Sequence, residues 1–372
     1  MKILFAAGGT GGHINPALAV AGEIAKRYPD ADILFVGTKD KMEAKLVPQA
    51  GFAFRTIKIS GFQRKISIEN LIRNIKTIIY LLVCSFSVKK ILKEFKPDVV
   101  VGFGGYVSGP VVRTAAKMGI PTAIHEQNAY PGITNKTLAK VVDKVMLTAA
   151  EAEKYMQCKN PAVVTGLPVR GEMLLADRDI SRAELGVRDD QKLILSMGGS
   201  LGAMTINNAM VDLISQYSSD QSLYFIHAMG QYGLWVPDKL REKGVDPDNT
   251  KNVEIREYIS DMHRCMSAAD GVVCRAGASS LSELQALGKA AILIPSPNVA
   301  ENHQYHNGMA LVNKGAALLI EEKDLTKEKM AELFESLIND DENRHSIEAN
   351  AKAMSVSDAK EKIADIVVSL VK

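Results

Sequence analysis

Residues 2–19, KILFAAGGTGGHINPALA, pack four glycines and a histidine into positions 8–13, between an apolar run and an alanine-rich stretch. The run reads as a buried strand and the alanine-rich part as a helix. A strand that turns sharply into a helix leaves several backbone N–H groups unpaired at the helix start, where the helix dipole adds partial positive charge. Glycine permits the turn and lets an anion approach those amides, so the expected guest is a phosphate. Residues 192–203, KLILSMGGSLGA, repeat the arrangement: a strand, a double glycine, a hydroxyl residue, more glycine, then a helix-permissive stretch.

Working outward, short apolar runs alternate with helical stretches. KILFAA, DILFVG, DVVVGFG, PTAIHE and KVMLT form a first series; KLILSMGG, SLYFIHAMG, VEIREYI, GVVCRAG and AAILIPSP form a second. Strands without polar alternation, separated by amphipathic segments, indicate parallel sheets covered by helices on both faces. NPAVVTGLPVRGEM carries two prolines and two glycines between the series, which places a linker near residues 161–172. The expected fold is α/β, with two Rossmann-like doubly wound domains, 1–165 and 166–372, facing one cleft. The last helix is allowed to return to the first domain.

Composition bounds the function. With 372 residues, 47% of them apolar and 24% charged, the chain has the makeup of a folded globular protein. Cys84, Cys158, Cys265 and Cys274 form no CxxC pair or metal spacing, and the N-terminus lacks a secretory layout, so reduced thiols in the cytoplasm are expected. The net charge of +2 hides an imbalance: residues 1–165 hold 23 Lys and Arg against 12 Asp and Glu, the remainder 22 against 31. Ten basic and two acidic residues fall between Arg55 and Lys96. That excess favours an anionic partner for the first half.

The glycine corners narrow the phosphate compound by exclusion. Gly9 and Gly11 are followed by Ile14 where a dinucleotide fingerprint needs a third glycine, and the second strand ends in Gly37 and Thr38 without a ribose-binding acid. Neither corner has the Gly-Lys-Ser/Thr of a P-loop. Gly198–Gly202 does match the G-x-S-x-G of a hydrolase elbow, which would make Ser200 a nucleophile. His13 is either a hydrogen-bonding group at a helix start or a general base for an attacking hydroxyl, since imidazole titrates near neutrality.

Further loops lie at predicted strand ends, where ligands of open α/β sheets bind: GFGGYVSGP (102–110), HEQNAYPG (125–132) and PNVAENHQYHNG (297–308). In CRAGASSLSELQALG (274–288), Ser280 and Glu283 have capping-box spacing; Glu283 alternatively accepts bonds from sugar hydroxyls. The segment 66–96 carries apolar residues at 68, 71, 72, 75, 78, 79 and 82, the helical period. Its uncharged run, Thr77–Val88, is too short to span a bilayer. The segment is either a core helix or one lying on anionic lipid, with Ile75, Ile79 and Leu82 on the lipid side and Arg73, Lys76, Lys89 and Lys90 beside them.

The motifs GGTGGHINPALA, GFGGYVSGP, HEQNAYPG, TGLPVR, GGSLGA, CRAGASSLSE and ENHQYHN, in this order from residue 8 to 307, resemble those of the MurG-type bacterial glycosyltransferases. Members of that family transfer N-acetylglucosamine from UDP-N-acetylglucosamine to undecaprenyl-pyrophosphoryl-N-acetylmuramoyl-pentapeptide in peptidoglycan synthesis. The resemblance implies the GT-B fold, with the donor in the second domain. Ser200 and Arg170 would meet the diphosphate, Ile259 the uracil through its backbone, and Ala278, Ser279, Ser280, Leu281, Ser282 and Glu283 the nucleotide, with Glu283 on the ribose. Gln304 would bind the sugar hydroxyls. Asn128 and the Thr10, Gly11, Gly12 loop would reach across from the first domain, and His13 matches the family's candidate base.

The resemblance further implies an inverting hexosyltransferase without cofactor or metal, peripheral on the cytoplasmic side of the cell membrane. Its partners would be the UDP-sugar, the undecaprenyl-linked acceptor, an anionic membrane surface and proteins of cell-wall synthesis, with no nucleic acid. Leu167 stands where many members have asparagine, and His303 where some have a second glutamine. Alternatives are a glycosyltransferase acting on diacylglycerol, a serine hydrolase using Ser200, and a non-catalytic nucleotide-sugar binder.

Overall fold

The computed structural model describes residues 1–59 and 84–371. The chain forms two compact units, Met1–Pro168 with Asp358–Lys372, and Val169–Ser357. The boundary falls between Pro168 and Val169, slightly beyond the expected 165.

The first unit is built on a parallel sheet of β1 (Lys2–Ala6), β2 (Asp32–Gly37), β3 (Ala53–Thr56), β4 (Val99–Gly102), β5 (Thr122–Glu126), β6 (Lys144–Leu147) and β7 (Val163–Val164). Its order is β3-β2-β1-β4-β5-β6-β7. The second unit holds β8 (Lys192–Met197), β9 (Leu223–Ala228), β10 (Val253–Arg256), β11 (Gly271–Cys274), β12 (Ala291–Leu293) and β13 (Leu318–Leu319), again parallel, in the order β10-β9-β8-β11-β12-β13. Counted from its own first strand, each sheet reverses direction between its first and fourth strands. Such a switch point opens a crevice at the carboxyl ends of the two strands. In the first unit that crevice lies between the loops that follow β1 and β4, in the second between those that follow β8 and β11.

Both faces of each sheet are covered, which explains strands with no polar alternation. On β1, Ile3 and Phe5 pack with Ile14, Val20 and Ile24 of the helix Gly11–Arg27, whereas Leu4 and Ala6 point to the opposite face, with Val107 and Val111 of the helix Gly105–Lys117. On β8, Leu193, Leu195 and Met197 join one core of the second unit and Ile194 the other.

The last helix, Ala359–Ser369, belongs to the first unit. Ile363, Ala364 and Val367 are fully or almost fully buried in the cluster that holds Ile14 and Ile24. Arg27 pairs with Asp365 at 2.6 Å and Lys360 with Glu23 at 3.5 Å. Burying an isoleucine or valine side chain contributes about 1.5–3 kcal/mol, so the two larger residues alone anchor this helix firmly.

Candidate active site

In the first unit, Thr10 stands at the N-terminal boundary of the helix Gly11–Arg27 without a side-chain capping bond, which puts His13 in the first turn and leaves the amides of Gly11 and Gly12 without intrahelical acceptors. His13 Nδ1 lies 3.2 Å from the Gly8 carbonyl oxygen and 3.2 Å from Thr10 Oγ1. A carbonyl can only accept, so the proton of the neutral ring sits on Nδ1 and the basic lone pair on Nε2. The second glycine loop shapes the space around that ring. A Cβ on Gly104, at φ +98°, would stand 2.7 Å from His13 Cδ2 and 2.9 Å from Nε2; one on Gly105, at φ +75°, would stand 2.3 Å from the Gly8 oxygen. Close approach of the two loops therefore demands glycine at both positions.

The HEQN stretch is built inward. His125 is fully buried, with Nε2 donating to the Gly166 carbonyl at 2.9 Å and its ring stacked on Phe103; burial pushes its pKa down to about 4. The Glu126 carboxylate is buried and accepts from the Asn128 amide N–H and side chain, the Gly132 N–H and Asn135 Nδ2, at 2.8–3.2 Å; burial raises its pKa. Asn128 is thus held by Glu126. Its place in the loop is a product of an internal carboxylate, which spacing alone does not reveal.

Glu43 is a residue that sequence reasoning missed. It is completely buried; Oε1 accepts from Thr38 N at 3.0 Å and Thr38 Oγ1 at 2.7 Å, and Oε2 accepts from Gly9 N at 3.1 Å. An acid in the unremarkable stretch KMEAKLVP gave no signal.

In the second unit, a cavity of about 160 Å³ is lined by Arg170, Gly199, Ser200, Ile259, Ser280 and Glu283, with Met197, Ala228, Glu257, Tyr258 and Met262. It lies at the carboxyl ends of β8 and β9 and beside the helix Ala278–Leu287 that follows β11, the switch point of this sheet. Arg170 Nε donates to Glu283 Oε1 at 2.8 Å. The helix starts at Ala278 after Gly277, with no side-chain cap, so Ser280 and Glu283 do not form a capping box: Glu283 sits in the second turn, where Arg170 takes its carboxylate. Ser280 and Glu283 share one helix face and line the cavity. Leu281 packs into the core instead, Ser282 is buried, and neither they nor Ala278 and Ser279 line it.

Ser200 is exposed on the turn after β8, and no histidine is among the residues lining its cavity, so the hydrolase reading lacks its base there. Ile259 is almost fully buried. Its loop is tied across its base by Arg256, which donates to Glu254 at 2.7 Å and to Asp261 at 2.9 Å, a clamp that the sequence did not disclose. Those two carboxylates hold the Arg256 pKa above its ordinary value, the Glu254 bond most of all. Gln304, in the first turn of the helix His303–Val312, accepts from Ser296 N at 2.8 Å and is outside the residues lining the cavity. Just before it, Glu301 and Asn302 have φ of 53° and 51°, a left-handed bend uncommon for such residues. Among the described residues, no cluster of three or more His, Cys, Asp or Glu is placed to hold a metal ion.

The membrane segment is only partly described. Arg73, Ile75, Lys76, Ile79 and Leu82 lie outside the described residues. Residues 84–95 are helical: Cys84, Val88, Ile91 and Leu92 are buried in the core, whereas Phe86, Lys89, Lys90 and Lys93 are exposed. Among the described residues, no helix is long and apolar enough to cross a membrane.

Two parallel α/β units with matched strand orders, glycine corners at their switch points and a small cavity in the second that joins apolar walls to Arg170, Ser200 and Glu283 define a GT-B-type glycosyltransferase. The chain belongs to glycosyltransferase family 28: that family's N-terminal domain matches residues 3–147 and its C-terminal domain residues 193–365. A relative from Acetivibrio thermocellus, a UDP-N-acetylglucosamine--N-acetylmuramyl-(pentapeptide) pyrophosphoryl-undecaprenol N-acetylglucosamine transferase, is 44% identical over 372 residues, 100% of this chain and 99% of its own. A protein of the same name from Bacillus cytotoxicus is 42% identical over the full length of both chains. The crystal structure of Acinetobacter baumannii MurG superposes with a TM-score of 0.81 at 29% identity, covering 99% of each chain. The calicheamicin glycosyltransferase CalG4 shares the fold, with a TM-score of 0.70 at 15% identity over 99% of this chain and 98% of that one.

Proposed function

We propose that this chain transfers N-acetylglucosamine from UDP-N-acetylglucosamine to the muramoyl 4-hydroxyl of undecaprenyl-pyrophosphoryl-N-acetylmuramoyl-pentapeptide, with inversion at the anomeric carbon. The observation that carries this reading is the second-unit cavity lined by Gly199, Ser200, Arg170, Ile259 and Glu283, in a chain whose full-length relatives are named for that transfer.

In this reading Ile259 meets the uracil through its backbone, Glu283 accepts from the ribose hydroxyls, and Ser200 and the Gly199 amide take the diphosphate. Arg170 neutralises charge on both the carboxylate and the leaving group. Ala278 to Ser280 supply the amide-rich end of their helix, with Leu281 and Ser282 behind them, and Gln304 recognises the sugar. On the first unit, Asn128 and the Thr10, Gly11, Gly12 turn receive the acceptor.

The acceptor hydroxyl gives its proton to His13 Nε2 as its oxygen bonds the anomeric carbon and the bond from that carbon to UDP breaks. Negative charge grows on the leaving diphosphate. Preorganised amides and a guanidinium aimed at that charge stabilise the transition state more than the ground state. The basic, partly apolar helix face at Phe86, Lys89 and Lys90 suits a peripheral position on the anionic cytoplasmic leaflet, where the lipid-linked acceptor and other proteins of cell-wall synthesis would be met.

The test is UDP release from UDP-N-acetylglucosamine with the undecaprenyl-linked acceptor or with diacylglycerol. Release with the first alone is expected. Release with diacylglycerol only, or UDP binding without turnover on either, would replace this reading.

A further inference from the structure

The carboxylate of Glu43 sits where three chain segments meet. Its helix, Glu43–Gln49, begins at this residue; one oxygen takes both donors of Thr38, just past the end of β2, and the other takes the Gly9 N–H of the turn after β1. The fit is tight. A Cβ on Gly8 would stand 2.8 Å from Glu43 Oε1, and one on Gly37 would stand 2.5 Å from Glu43 Cγ. A fully buried carboxylate is tolerated only when donors satisfy it, and among the described residues no cation pairs with it. It is satisfied by amides and a hydroxyl. Two consequences follow for the glycine corner. The Gly9 amide is already bonded to an internal anion, so a substrate phosphate has to rely on the amides beyond it. And the path of residues 8–10 is pinned to the neighbouring strand, although Gly9 itself, at φ +92°, is conformationally permissive.

His13 depends on that path, because the partners holding its Nδ1 are the Gly8 carbonyl and Thr10 Oγ1, the residues on either side of Gly9. We propose that Glu43 is a positioning residue for catalysis: by anchoring Gly9 to Thr38 it keeps the Gly8 carbonyl under the imidazole, and so keeps the basic lone pair on Nε2. This rests on the proposed role of His13 as base. Glu43 itself touches neither substrate.

The test compares Glu43→Gln, Thr38→Val and Thr38→Ser in the full-length protein. Three quantities are read on protein shown to be folded by circular dichroism: kcat with saturating substrates, the UDP dissociation constant, and the ¹⁵N signature of the His13 ring. Glu43→Gln places an amide N–H against donors, and a misplacement of about 1 Å can cost about a hundredfold in rate. The expectation is a kcat lowered by about tenfold to a hundredfold, an unchanged UDP constant, and a His13 spectrum that has lost the Nδ1–H form. Thr38→Val should move the same way by less, and Thr38→Ser should restore both rate and spectrum. If Glu43→Gln does not fold, the threonine pair decides alone. Wild-type kcat and an intact Nδ1–H signature in a folded Glu43→Gln, or in Thr38→Val, overturn the proposal. Because the spectrum is read without turnover, loss of the signature with unchanged kcat would instead remove His13 as base.

Discussion

Arg170 Nε donates to Glu283 Oε1 at 2.8 Å, and both side chains line the second-unit cavity. Arg170 is half exposed, at 51%, whereas Glu283 is 12% exposed, so the pair is screened on one side and adds at most about 1 kcal/mol to stability. In the proposed donor site the pair's part is to orient the Glu283 carboxylate for the ribose. Arg170→Ala and Glu283→Ala should each weaken UDP binding by about tenfold or more in calorimetric titration, while melting temperatures shift by only a few degrees. A large loss of melting temperature with intact UDP affinity would make the pair structural.

His13→Ala should lower kcat by about a hundredfold to ten-thousandfold, the usual contribution of a general base, while leaving the UDP dissociation constant close to that of the parent. Steady-state kinetics paired with UDP titration separate the two effects. Unchanged turnover would remove His13 from the role.

Gly104→Ala puts a methyl group against the Cδ2–Nε2 edge of that ring, 2.7 Å from Cδ2, at a backbone angle that alanine resists. The variant should fold and bind UDP, since the second unit is untouched, yet lose turnover by an amount approaching that of His13→Ala. A Gly104→Ala enzyme of normal kcat would show that the imidazole is not confined as described.

Acid should destabilise both units. His125 in the first and His227 in the second are fully buried and held neutral, each pushed down to about 4, whereas an unfolded histidine titrates near 6.5. Between those values the unfolded chain binds protons that the native chain refuses, so stability falls as pH drops from about 6.5 towards 4, by roughly 3 kcal/mol for each ring. Glu126, its carboxyl raised by burial, acts in the opposite sense, so the decisive measurement is site-resolved. Imidazole NMR signals of both residues should remain those of neutral rings at pH 5.5. Titration of either near 6.5 would refute its burial.

Replacing Arg73, Lys76, Lys89 and Lys90 by glutamine should weaken binding to vesicles containing anionic lipid, more at 50 mM than at 300 mM salt, since each basic residue near such a surface contributes about 1 kcal/mol. Co-sedimentation gives the partition coefficient. Equal binding by the variant at low salt would assign the segment to the core alone.

The strands were legible because their signal is local: unbroken apolar runs such as ILFA and VVVG imply a sheet buried on both faces, and the rhyme between GGTGGH and GGSLGA marked two similar units. The same local reading failed at Ser280 and Glu283, whose spacing imitates a capping box although the helix begins two residues before Ser280 and Glu283 answers to Arg170 instead.

What the chain alone determined is therefore the central strands of both sheets, the glycine corners and the candidate imidazole, because turn chemistry and side-chain periodicity depend on neighbours a few positions away. The short edge strands β3, β7 and β13 carried too little pattern to be read, and β7 lies within the stretch taken as a linker. Tertiary structure alone decided which buried charge serves which loop. Glu43 meets Gly9 from 34 positions along the chain, and Arg170 meets Glu283 from 113. A carboxylate taken out of water has to find its donors wherever strand order brings them, and that order is a property of the packed sheet rather than of any stretch of sequence.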